Sequence, residues 1–198
     1  MFSVPRNPAR MKIDDILTGT MVLVVGPSGA GKDSLIEGAR DAFSGDADLV
    51  FPRRQITRPA EAAGEDHVAV TESQFHARRE LGGYLLSWGA HGLWYGIPAE
   101  VAADLRRGRT VVVNASRSVI DEARSRLGSL RIVLVNADDD TLRARMGMRG
   151  RETDLQVARR LERARTFRVE GPDVIEFPND GLLEAAVVRF TDLLRGLA

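Results

Sequence analysis

The stretch "TMVLVVGPSGAGKDS", residues 20 to 34, constrains this chain more than any other. "TMVLVV" is a continuous apolar, β-branched run, the pattern of a strand buried on both faces as in a parallel sheet. From Lys32, "KDSLIEGARDAF" places Leu35, Ile36, Ala39 and Phe43 at helical spacing. Between strand and helix, Gly26, Gly29 and Gly31 let successive backbone N–H groups turn toward one anion, and the helix adds its positive end. Lys32 would reach the β- and γ-phosphates of a nucleotide. The predicted nucleotide-binding residues are therefore Gly26, Pro27, Ser28, Gly29, Ala30, Gly31, Lys32, Asp33 and Ser34. One position departs from the pattern. The residue after the lysine normally carries a hydroxyl that touches magnesium, and here it is Asp33, with the hydroxyl delayed to Ser34. Both are candidate metal ligands.

The remaining chain continues the alternation. "RTVVVNAS" (109 to 116) and "LRIVLVNA" (130 to 137) read as buried strands with a polar helical segment, 117 to 127, between them. "DDDTLRARMGMRG" opens on acids suited to a helix N-terminus. "ETDLQVARRLERARTF" is a second late helix, "DVIEF" (173 to 177) a short strand, and "LLEAAVVRFTDLLRGL" a closing amphipathic helix. Alternating strands and helices predict an α/β fold, a parallel sheet flanked by helices. The segment from about residue 53 to 100 breaks the rhythm with "GED", "GGY" and "HGLWYG" and shows no long helical period. It reads as a lobe inserted in one domain over 20–198, after a flexible extension over 1–19.

Composition narrows the classes. Lys+Arg and Asp+Glu both number 28, which argues against a general nucleic-acid binder. There is no cysteine, hence no disulfide or thiol nucleophile, and no apolar run approaches the ~18 residues of a membrane span. These features predict a cytoplasmic protein without nucleic-acid or membrane partners. Lysine occurs only at Lys12 and Lys32, so within the fold a compact mobile cation appears once, in the loop. The oligomeric state stays open, a homodimer included.

"GPSGAGKDSL", "ITRP" with "HGLWYG", and "RMGMRGRETD…ARRL" together resemble guanylate kinase, in that order, over about Met21 to the C-terminus. Within that superfamily "GKDSL", "ITRP", "SWGAHGLWYG" and "VVVNASR" are more similar to the ribose 1,5-bisphosphate phosphokinases of phosphonate catabolism. That resemblance implies a P-loop fold with an acceptor lobe and an Arg-rich lid (145 to 160). It implies ATP as donor, with Mg²⁺, a sugar phosphate as acceptor, and a phosphoribosyl diphosphate as product. Arg58 falls on an arginine that holds the acceptor phosphate, Tyr95 on a phosphate-contacting tyrosine, and His67 on the place of a second one. A second acceptor arginine is replaced by Pro59, Ala60 and Glu61, for which Arg53 and Arg54 compensate from the preceding segment. Arg149 and Arg160, with Arg145 and Arg151, match the lid arginines that lie across the transferring phosphoryl group, a task suited to a planar, always charged guanidinium.

The departures carry information too. Leu86, Ile97 and Ser116 stand where guanylate kinases read the base, and an apolar residue cannot pair with a purine N–H edge. Ser87 is the residue that could take over that task. Asn114 stands where those kinases carry an acid at a strand end. The carboxylate lost there is regained at Asp33, which suggests an exchange of the two metal-supporting groups, since either oxygen type suits magnesium. The alternative is that Asp33 orients the loop and Ser34 meets the metal. Trp88 and Trp94 read as core, His76 and His91 as surface or packing. Two other functions remain open on the sequence: a nucleoside monophosphate kinase with unusual base contacts, and a non-catalytic binding protein of the guanylate-kinase type.

Overall fold

The computed structural model describes residues 17–60, 65–147, 162 and 168–198. Its core is a five-stranded parallel sheet. The strands are β1 (Met21–Val25), β2 (Leu49–Val50), β7 (Thr110–Asn114), β8 (Leu130–Asn136) and β9 (Val174–Pro178), in the order β2-β7-β1-β8-β9. β1 lies at the centre, with Leu23 opposite Val113 on one side and Ile132 on the other. All five of its residues are fully buried, which is what the unbroken apolar run requires.

Alternation along β1 splits the core into two layers. Met21, Leu23 and Val25 face α3 (Val101–Arg106) and α4 (Ile120–Arg126), through Leu105, Ile120 and Ala123. Val22 and Val24 face α1 (Lys32–Ala42) and the closing helix α6 (Leu183–Arg195), through Leu35, Ala39, Phe190 and Leu194. α5 (Asp139–Gly147) follows β8; Asp138 caps it, its carboxylate accepting from the Thr141 N–H at 2.7 Å. "ETDLQVARRLERARTF" lies outside the described residues except Glu162, which is helical.

The inserted segment forms a second sheet of four strands, β4 (Val68–Ala69), β3 (Gln55–Ile56), β6 (Leu93–Pro98) and β5 (Tyr84–Ala90), in that order. It also holds a helix the sequence reading did not anticipate, α2 (Glu72–Glu80). Only Phe75 of α2 is buried, too thin an apolar stripe to reveal a 3.6-residue period. The legible signal was its start: Thr71 and Gln74 form a reciprocal capping box. At the N-terminus the boundary also shifts. Leu17 is buried in the core and the Gly19 N–H donates to Leu105 O at 2.8 Å, so the fold includes residues 17–19.

β9 is tied to α4 by one ion pair. Arg124 Nε donates to Asp173 Oδ2 at 2.9 Å and Arg124 Nη2 to Oδ1 at 2.8 Å. Those hydrogen bonds hold the Asp173 carboxyl below the usual carboxylate range. A group depressed in the folded state contributes stability above its unfolded value, and that contribution is lost as pH falls through the folded value. Asp173→Asn should therefore lower the urea midpoint near neutral pH by the equivalent of about 1 kcal/mol, the size expected of a partly exposed pair. The gap between variant and wild type should close toward about pH 3. A gap independent of pH would mean that the pair contributes through packing alone.

Candidate active site

β1, β7, β8 and β9 all run the same way, so their C-terminal ends share one edge, where open α/β sheets bind ligands. The glycine-rich loop leaves β1 there. Gly26, Gly29 and Gly31 take φ of 152°, 91° and 88°, and Gly31 is the N-cap of α1. With no side chain at that cap, the first-turn N–H groups of α1 are left to another acceptor, the arrangement that favours phosphate. Lys32 folds back over the loop: its ammonium donates to Gly26 O at 2.8 Å and Pro27 O at 2.9 Å.

Asn179, just past β9, was not singled out by the sequence and is 1% exposed. Its Nδ2 donates to Ala30 O at 2.7 Å, and a Cβ on Gly31 would lie 2.5 Å from that nitrogen. Glycine at 31 is thus required by close approach as well as by backbone angle. The neighbouring Asp180 accepts from the Asp138 N–H at 2.8 Å, so one turn links the loop to the start of α5. Arg145 on α5 comes to the same place, its Nη1 3.6 Å from that Cβ position. Arg149, Arg151 and Arg160 lie outside the described residues.

The structure separates the two candidate metal ligands. Asp33 turns toward the end of β7, where Asn114 Nδ2 donates to Asp33 Oδ1 at 2.6 Å. Ser34 lines the groove between α1 and α6 with Leu183 and Val187. Positions 33 and 114, whose residue types suggested an exchange, are therefore in contact. Together they offer hard oxygen donors of the kind magnesium takes.

A cleft of about 320 Å³ opens between the loop, the end of β7 and the lobe. Gly26, Pro27, Ser28 and Lys32 form one wall, and Asn114, Ala115, Ser116 and Arg117 the floor. Arg54, Trp88, Ala90, His91 and Tyr95 close it from the lobe. Trp88 and Tyr95 stack with ring centroids 5.6 Å apart and planes within 5°. Trp88 is thus core and cleft wall at once. Trp94 packs instead on Phe75 and His76 toward α2.

Arg54 reaches the cleft already engaged. It makes a two-pronged pair with Glu65 and lies 5.2 Å from the Tyr95 ring centroid and 5.6 Å from that of Trp88. Arg53 is exposed and pairs with Asp66. Arg58 faces Thr57, Pro59 and Thr71, outside this cleft, and its Nη2 lies 3.3 Å from His67 Nδ1. His67 is buried, with Nδ1 3.0 Å from Glu65 O and Nε2 3.2 Å from Arg58 O. It cross-links the segment that carries Arg58. Burial pushes the Tyr95 phenol above its usual value against the pull of Arg54 and Arg58, so it remains an O–H donor at neutral pH.

Leu86 and Ile97 face each other across β5 and β6 and are buried in the sheet core, away from the cleft. Alternation puts Ser87 on the opposite face of β5 from Leu86 and Trp88, so it does not take over base reading. Of Leu86, Ile97 and Ser116, Ser116 alone lines the cleft, and its hydroxyl accepts from the Ser118 N–H and hydroxyl.

No family model matches the chain. The ribose 1,5-bisphosphate phosphokinase PhnN of Thiobacillus denitrificans is 44% identical over 176 residues, 89% of this chain and 93% of that protein. The chain belongs to the ribose 1,5-bisphosphate phosphokinase family. The PhnN family member of Rhizobium etli is likewise 44% identical, over 90% of this chain and 91% of its own length. A bifunctional ribose 1,5-bisphosphokinase-thymidine phosphorylase of Cupriavidus necator is 49% identical over 178 residues. The chain spans 29% of the length of that bifunctional relative. Among solved structures, guanylate kinase of Anaplasma phagocytophilum superposes with a TM-score of 0.59 at 17% identity, covering 91% of this chain and 86% of that one. The chain thus shares the fold of guanylate kinase. Among the described residues no helix is long and apolar enough to cross a membrane.

Proposed function

We propose that this protein transfers the γ-phosphoryl group of ATP to the 1-phosphate of ribose 1,5-bisphosphate, giving 5-phospho-α-D-ribosyl 1-diphosphate and ADP, as a step in phosphonate catabolism. The observation that carries the reading is the cleft itself. The Lys32 loop faces Arg54 and Tyr95 of the lobe across it, while Leu86 and Ile97, at the positions matched to base reading, are sealed in the core.

The nucleophile is an oxygen of the 1-phosphate, ionised near neutral pH, so no general base is needed. It forms a bond to the γ-phosphorus as the bond to the β,γ-bridging oxygen breaks, and ADP leaves with that electron pair. Catalysis is then positioning and charge stabilisation. The loop N–H groups and Lys32 hold the donor phosphates, and the Tyr95 hydroxyl donates to an acceptor phosphate oxygen. Asp33 and Asn114 would hold Mg²⁺, directly or through its waters; when bound, the ion neutralises charge on the β- and γ-phosphates. Arg145 belongs with the donor side, and Arg149 and Arg160 carry the lid role implied by the family likeness.

The test is to incubate the protein with Mg-ATP and either ribose 1,5-bisphosphate or GMP, and to resolve products by phosphorus NMR. A new diphosphate on the sugar with little GDP is expected. GDP without a sugar product would overturn the reading in favour of a guanylate-type kinase. Asp33→Ser should raise the half-saturating Mg²⁺ concentration about tenfold and lower kcat/KM about 10- to 100-fold, the loss of one charged group near the transferring phosphoryl. Its melting temperature should hardly change, because Asp33 is exposed. Unchanged magnesium dependence would remove Asp33 from the metal site.

A further inference from the structure

The proposed acceptor is a pentose carrying two phosphates, while the loop and the Tyr95 hydroxyl act on phosphate alone. A group that recognises the sugar itself is still needed. Resting on the proposed reaction, we infer that Arg54, held in place by Glu65, reads the ribose by donating to a sugar hydroxyl and is not a phosphate grip.

The sequence pattern gives Arg54 to an acceptor phosphate, but its surroundings do not suit one. Arg54 Nε donates to Glu65 Oε1 at 3.0 Å, and Nη2 donates to Glu65 Oε2. The two side chains are only 10% and 15% exposed, so their charges are balanced where solvent screens little. A phosphate on the same guanidinium would stand close to the Glu65 carboxylate, and that repulsion weakens the contact. An uncharged hydroxyl oxygen meets no such repulsion.

The guanidinium still has donors to give. Beyond the Glu65 pair, Arg54 makes no hydrogen bond among the described residues. Its Nη1 is not one of the buried atoms left without a partner, so solvent reaches it. Arg54 lines the cleft with Trp88, Ala90 and Tyr95. It lies over the stacked Trp88 and Tyr95 rings. That is an apolar wall for the C–H face of a pentose with one directed polar group beside it, the composition by which a pocket fixes the orientation of a small ligand.

The pair is also fixed from behind. The Glu65 carbonyl oxygen lies 3.0 Å from Nδ1 of the buried His67, whose Nε2 lies 3.2 Å from Arg58 O. The Val68 N–H donates to Arg54 O at 2.9 Å, beside the β3–β4 pairing. Arg54 and Glu65 are thus held at the backbone as well as through their side chains. Glu65 is the positioning residue, and Arg54 the one that contacts substrate. A buried ion pair adds little stability over well-packed apolar groups, so its value here is direction.

The experiment measures kcat/KM for ribose 1,5-bisphosphate and for its 2-deoxy and 3-deoxy analogues. Wild type should use at least one analogue about 10- to 100-fold less efficiently than ribose, the loss of one hydrogen bond to a charged group. The double variant Arg54→Met with Glu65→Gln leaves no unpaired buried carboxylate. In it the ribose value should fall until ribose and that analogue agree within about threefold, with KM for ATP changed by less than about threefold. Glu65→Gln alone should narrow the same ratio, because Arg54 loses its orientation. If the variants lower all three sugars alike, the pair serves phosphate binding or structure only, and the inference is overturned. Wild type that uses both analogues as well as ribose overturns it too, and that result needs no variant to fold. Failure of wild type to phosphorylate ribose 1,5-bisphosphate would instead remove the proposed reaction and this inference with it, before any analogue is tried.

Discussion

Replacing Lys32 by Met should lower kcat about 1,000-fold, at the upper end of what one oriented electrostatic group supplies, while ATP affinity falls far less. The Lys32 ammonium lies over the loop between two carbonyls, at 2.8 and 2.9 Å, so it acts at a fixed place instead of searching solvent from a four-carbon stem. Its contribution grows as negative charge spreads over the transferring group, so it appears in kcat more than in binding. These hydrogen bonds are only part-buried; the melting temperature should drop little. Lys32→Arg should not restore activity. A planar fork keeps the charge but cannot seat as a point between two carbonyls. Turnover by ADP release, alongside equilibrium ATP binding, separates the two effects. Retention of a tenth or more of wild-type kcat by the Met variant would show that the loop is not catalytic.

The second large effect is on folding and sits at the start of the same loop. Gly26 has φ 152°, and a Cβ there would lie 2.2 Å from the carbonyl oxygen of Val135. That oxygen belongs to β8, the direct partner of β1, where Val25 pairs with Leu134. No side chain can rotate out of the way; two central strands must part or the loop must leave its conformation. Gly26→Ala should destabilise by about 3 kcal/mol or more, combining overpacking with backbone strain. For a chain of this length that is a fall of ~10 °C in Tm. Gly45→Ala is the control: φ is 92° but nothing lies within 4 Å of the added carbon. Only the cost of the left-handed region applies there, about 1 kcal/mol. Equal effects at the two positions would mean that the close approach to β8 has no part in stability.

The loop was legible because every requirement of it is local. A buried strand, three glycines at the turns and a lysine opening a helix are all written within residues 20 to 43, and the backbone realises them in that order. The contact between positions 33 and 114 was half legible. Residue types at 33 and 114 suggested it, but only the pairing of β1 with β7 brings Asn114 Nδ2 to 2.6 Å from Asp33.

What the lobe does with its charges could not be read from the chain. "ITRP" marks Arg58 and "RR" marks Arg53 and Arg54, but a one-dimensional pattern cannot say which guanidinium meets a carboxylate. Glu65, eleven residues from Arg54, neutralises it, and His67 draws Arg58 aside. Asn179 was missed for the same reason. It lies 149 residues from Ala30, and its hydrogen bond exists only because β9 ends beside the loop. The sequence alone determined the two-layer α/β core and the phosphate loop, through burial pattern and local backbone geometry. Tertiary structure decided which polar groups are used up within the protein and which face the cleft, because charge pairing depends on distance in space, and contacts between residues far apart in sequence set that distance.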